Sequence, residues 1–116
     1  MIERSVWMDQ MRRYVRFVAD EAAIRRAWIG AERLTSATDF DELFEQIFDD
    51  LDADGLEQQM LGEGDAEAQA LRGFLEAMRH ASETQSTTTL PSVEFLESRE
   101  WRELHSSAVS ALKVLQ

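Results

Sequence analysis

The chain has no cysteine. Disulfides, thiolate metal sites and cysteine nucleophiles are therefore excluded, and the absence suits a reducing compartment. It has one proline, Pro91, and 44% hydrophobic residues, a composition that folds and that is far from a disordered chain. No stretch of 18 apolar residues occurs, and the opening MIERSVWMDQMRRY has no unbroken apolar h-region, so no transmembrane span or signal peptide is expected and the cytoplasm is the expected location. A fourth absence is the most informative. Between Leu34 and Leu71 there is no lysine or arginine, while twelve acids fall there.

The net charge of −11 is accordingly confined to the middle of the chain. Residues 1–33 carry net +2, residues 34–71 net −12 and the remainder net −1. Such a field repels nucleic acid and anionic membranes and attracts cations or basic protein surfaces. Neither a nucleic acid nor a membrane is an expected direct partner. With 116 residues the chain is long enough for one domain with a core of its own.

The acidic middle contains the clearest periodicity. Phe40, Leu43, Phe44, Ile47, Phe48 and Leu51 recur at i, i+3, i+4, i+7, i+8 and i+11. That is one stripe of an α-helix, and a period of two does not fit it. The opposite side carries Asp41, Glu42, Glu45, Gln46, Asp49 and Asp50. Thr38 or Asp39 is placed to cap its start, and Asp39 with Glu42 matches a capping box. Its end is unusual, because Asp49, Asp50, Asp52 and Asp54 oppose a helix dipole that favours cations there.

Other helices follow from the same logic. A first helix is expected over about Glu3–Ala19, with Trp7, Met11, Tyr14, Val15 and Val18 inward and Arg12, Arg13 and Arg16 mostly facing away. Asp20 is suited to cap a second helix bearing Ile24, Ala27, Trp28 and Ala31, so a break is expected there. A short turn is expected over Leu56–Leu61. A further helix spans about Ala66–Ala81, burying Leu71, Phe74, Leu75 and Met78, with Gly73 either costing roughly 1 kcal/mol or permitting close helix approach. Residues 82–92, SETQSTTTLPS, read as a mobile loop. After a turn at Phe95 and Leu96, Ser98 caps a last helix to about Leu115, with Trp101, Leu104, Ala108, Ala111, Leu112 and Leu115 inward. The expected fold is all-α: a small single domain, bundle-like, of four main helices plus short helical turns.

Two constellations bear on function. Asp50-Leu-Asp52-Ala-Asp54-Gly55 matches the first half of an EF-hand loop, in which Asp50, Asp52 and Asp54 would ligate calcium. The second half fails, since the bidentate glutamate of the twelfth position is Leu61 and no sister loop exists. A helix end followed by turn-forming aspartates is the plainer reading. The second constellation is the acidic helix face. Exposed helices ordinarily mix signs to gain i,i+4 pairs, and this one forgoes them. Either it is a solvated coat or it is a docking surface for a basic partner, with Asp41, Glu42, Glu45, Asp49 and Asp52 as the docking acids. His80 and His105 fall on different helices without a nucleophile or ligand set, and no phosphate loop, H-E-x-x-H or G-x-S-x-G is present. An enzyme is not expected, and no cofactor is.

An arginine-rich first helix leading to Arg26-Ala-Trp28, the block FDELFEQIFDDL (40–51), and a closing helix opened by Ser98-Arg-Glu-Trp101 together resemble small acidic all-helical bacterial proteins. Some of those are immunity partners of toxins. The resemblance implies a non-enzymatic inhibitor whose acidic face plugs the basic, substrate-binding cleft of a toxic nuclease. It carries over no functional residues. Three other readings share the composition: a nucleic-acid mimic that blocks a DNA- or RNA-binding protein, an assembly subunit (a homodimer among the options) whose acids are its wet side, and a calcium-responsive domain.

Overall fold

The computed structural model describes residues 4–28, 40–50, 54–55, 58, 66–87 and 92–115. Helix α1 (Arg4–Ala19) buries Trp7, Met8, Met11, Val15 and Val18 along one stripe, with Tyr14 and Phe17 half-buried beside it. The chain leaves the helix for a single residue at Asp20. The Asp20 N–H donates to the Phe17 carbonyl, and its carboxylate accepts the Ala23 N–H, each at 3.1 Å. This is the expected cap, and α2 (Glu21–Trp28) starts from it, burying Ile24 and Trp28. Arg12 departs from the outward placement expected of it. It is part-buried, and its Nε donates to the Leu115 carbonyl at 3.0 Å, so a cation satisfies an orphan carbonyl at a helix C-terminus.

The acidic stretch folds as α3 (Phe40–Glu45), which continues as a π-helical turn over Gln46–Asp50. Phe40, Leu43 and Ile47 are buried, and Phe44 and Phe48 are half-buried. The sequence periodicity predicts a plain α-helix here. The wider i→i+5 turn instead closes it, a form that occurs mostly as single turns within α-helices. Thr38 and Asp39 of the expected cap, and most of the turn expected over Leu56–Leu61, lie outside the described residues; Asp54, Gly55 and Gln58 have helical backbone.

Helix α4 (Ala66–Thr87) is six residues longer than its stripe predicts. Residues 82–87, expected in a loop, are helical. Ala81 is buried at the start of the added turns, and Thr84 Oγ1 donates back to the His80 carbonyl at 3.3 Å, giving a polar side chain a helical outlet. A short helix α5 (Ser92–Phe95) and a turn bury Phe95 and Leu96. Ser98 Oγ then accepts the Trp101 N–H at 3.2 Å and caps α6 (Arg99–Leu115), which buries Trp101, Leu104, Ala108, Ala111 and Leu115.

Helices α4 and α6 form the principal pair, with α1 against α6 and α3 against α4. Arg12 lies near both Glu67 and the Leu115 carbonyl, and His80 meets Glu103, so α4 and α6 run antiparallel. The radius of gyration is 13.8 Å, close to the ~13.4 Å expected of a compact globule of this length. The chain is thus a compact all-helical globule, and no strand occurs among the described residues. No helix among them is long and apolar enough to cross a membrane.

A chain of aromatic rings runs from the edge of the core into it. Phe48 stacks on Phe44 at 4.3 Å between ring centroids, Phe44 meets Phe40 at 6.1 Å, and Phe40 meets Phe95 at 5.0 Å. From Phe95 the contacts continue to Trp28 at 6.2 Å and Trp101 at 6.3 Å. Tilted and offset contacts of this kind add to the burial of large rings. This chain of rings runs from the outer edge of α3 to the α2–α6 contact.

Candidate functional site

The candidate site is the outer face of α3. Glu42, Glu45 and Asp49 are exposed along it. Asp41 lies in the same helical backbone and Asp50 ends the π-turn, while Asp52 lies outside the described residues. The buried Phe40, Leu43 and Ile47 hold this helix against the core, which leaves the acids no route inward. The half-buried pair Phe44 and Phe48 flanks the acids, so apolar surface and negative charge adjoin there.

A basic side chain from α4 reaches this region. The Arg79 guanidinium lies over the Phe48 ring, 5.2 Å from its centroid, and its Nη2 donates to Asp54 Oδ1 at 2.6 Å. A flat cation thus rests on an aromatic face while a carboxylate holds its edge. Asp54, a ligand in the calcium reading, faces this cation. Among the described residues no group of three or more His, Asp or Glu side chains is placed to hold a metal ion. The helical periodicity puts Phe48 in the buried stripe and gives Arg79 no role. The available signal was small: a cation seven residues beyond the first arginine to follow the acidic segment.

The histidines are not brought together. His80 Nδ1 lies 3.2 Å from Glu103 Oε2, and the same carboxylate accepts Arg99 Nε at 3.1 Å. A carbonyl can only accept, so His105 donates its Nδ1–H to Val18 O at 3.0 Å. The His105 ring also packs against Trp101, with 5.5 Å between centroids. Across α2 and α6, Trp101 Nε1 donates to Glu21 Oε1 at 2.9 Å. That hydrogen bond, ahead of the nearby Arg25, holds the Glu21 carboxyl below its ordinary value.

A groove of about 400 Å³ opens between α4 and α6, walled by small residues including Ala70, Gly73, Ser107 and Ala111, and by Val114. A Cβ on Gly73 would meet nothing within 4 Å. Close helix approach is therefore not what Gly73 provides.

Comparison of the chain with protein-family models, with curated proteins and with solved structures yields no match.

Proposed function

We propose that this chain is a non-catalytic protein-binding module of the inhibitor or immunity type, which docks the acidic face of α3 on a basic protein surface, for example the substrate cleft of a toxic nuclease. The observation that carries the reading is the placement of Glu42, Glu45 and Asp49 in solvent beside the half-buried Phe44 and Phe48. Charge of one sign steers the encounter and raises the association rate. Aromatic side chains at the edge of the charged field supply the desolvated anchors that charge alone does not. The chain in this reading works without a cofactor, and specificity resides in the spacing of the acids and rings.

The test is capture of the partner by the protein and by the variant Glu42→Lys/Glu45→Lys/Asp49→Lys. Salt is raised from roughly 50 to 500 mM, which shrinks the Debye length from roughly 14 to 4 Å. A basic protein held at low salt, released at high salt and not held by the variant is the expected result. Capture indifferent to both changes would overturn the reading and make the acids a solubility coat.

A further inference from the structure

Arg79 shows what the α3 surface does with a guanidinium. Its Cζ lies 5.2 Å from the Phe48 ring centroid, and its Nη2 is 2.6 Å from Asp54 Oδ1. The arrangement is open to solvent, with the Arg79 side chain 34% exposed and that of Asp54 66% exposed. A planar cation is matched by an aromatic face and a carboxylate together, which is how arginine, more than lysine, is recognised. The same ring stacks on Phe44, and Glu45 on α3 and Asp49 on the π-helical turn are exposed. A basic partner approaching this face thus meets a seat built for arginine with an arginine already in it.

We infer that the Phe48–Asp54 seat takes an arginine side chain of the basic partner, and that Arg79 is a resident competitor which that arginine displaces. The inference rests on the reading of α3 as a surface for a basic protein and adds the residue type that is read there. Displacement exchanges one guanidinium for another on the same ring, so the seat contributes selectivity for arginine while Arg79 lowers affinity for basic proteins in general.

The full chain is titrated with a short glycine–arginine peptide and with its glycine–lysine counterpart. Arg79→Gln is expected to bind the arginine peptide roughly 3- to 30-fold more tightly than the parent, the span of one exposed cation–π contact plus one exposed ion pair. Arg26→Gln, which removes the same charge from the exposed side of α2, is expected to give no such gain. The lysine peptide is expected to gain less, and Phe48→Leu in the Arg79→Gln background is expected to abolish the gain. Should Arg79→Gln lose helical content by circular dichroism, Arg79→Lys serves instead, with a smaller gain of roughly 2-fold. The inference is overturned if the Arg79 variant binds no more tightly than the parent, if Arg26→Gln gains equally, or if lysine gains as much as arginine. Loss of all peptide binding in the Glu42→Lys/Glu45→Lys/Asp49→Lys variant alongside an unresponsive Arg79 variant would retain the docking face and remove only the seat. Peptide binding unaffected by the triple variant would remove the docking face itself.

Discussion

The indole Nε1–H of Trp101 donates to the Glu21 carboxylate at 2.9 Å, tying α6 to the first residue of α2 across 80 positions of sequence. Glu21 also lies 3.5 Å from Arg25 one turn on, and an acid in the first turn of a helix suits the dipole. The carboxyl pKa is held below its ordinary 4.5, chiefly by the Trp101 hydrogen bond. A lowered folded value means that the ionised form is favoured by folding. The resulting stability is present above pH 4.5 and is lost as pH falls through the lower folded value. Glu21→Gln is expected to be less stable than the parent at neutral pH, with the gap closing on acidification below that point. Urea unfolding across the acid range checks this, and a gap that widens at low pH would contradict it.

Two buried tryptophans differ in one respect that mutation can read. Trp101 Nε1 has Glu21 as its acceptor, whereas Trp28 Nε1 is buried without a hydrogen-bond partner among the described residues. An unmet buried donor is a liability of roughly 1–3 kcal/mol. Trp28→Phe removes that donor together with some packing, while Trp101→Phe removes packing and a made bond. Trp28→Phe is expected to destabilise less than Trp101→Phe, by about 1 kcal/mol in denaturant unfolding. Equal losses, or the reverse order, would mean that cavity formation outweighs the polar difference.

The two observed caps are each expected to contribute separately. Ser98→Ala removes the acceptor of the Trp101 N–H, and Asp20→Ala removes the acceptor of the Ala23 N–H. Each substitution should lower stability by about 1 kcal/mol, and the double variant by roughly the sum. A neutral Asp20→Ala would indicate that α1 and α2 tolerate joining into one helix.

Gly73 sits inside α4 on the wall of the α4–α6 groove, and an added methyl there meets open space. Gly73→Ala is expected to raise stability by about 0.5–1 kcal/mol through helix propensity and the reduced freedom of the unfolded chain. A destabilising result in thermal unfolding would show that the groove closes in solution.

The features legible in advance are local ones. The stripes of α1, α3 and α6 were legible because burying one side of a helix forces apolar residues into three- and four-residue spacing. The break at Asp20 and the start at Ser98 were legible because an oxygen-bearing side chain next to a helical stripe has few other uses. Glu42, Glu45 and Asp49 were expected outward on the same ground, since their helix is apolar on its other side, and they are exposed.

Tertiary structure alone decided the rest. The extension of α4 to Thr87 runs against the polar, β-branched character of residues 82–87, and such weak local preferences yield readily to tertiary context. Arg79 meets Asp54 from 25 positions away, His80 meets Glu103 from 23, and Arg12 meets the Leu115 carbonyl from 103. No spacing rule along one helix encodes such pairs. They exist because α4 packs antiparallel on α6 and because α1 and α3 settle against that pair. The sequence by itself determined which sides of the helices are greasy and which are acidic. Packing decided which cation lies on the Phe48 ring and which carboxylate faces Trp101, because a side chain's partner across an interface depends on how whole helices fit together.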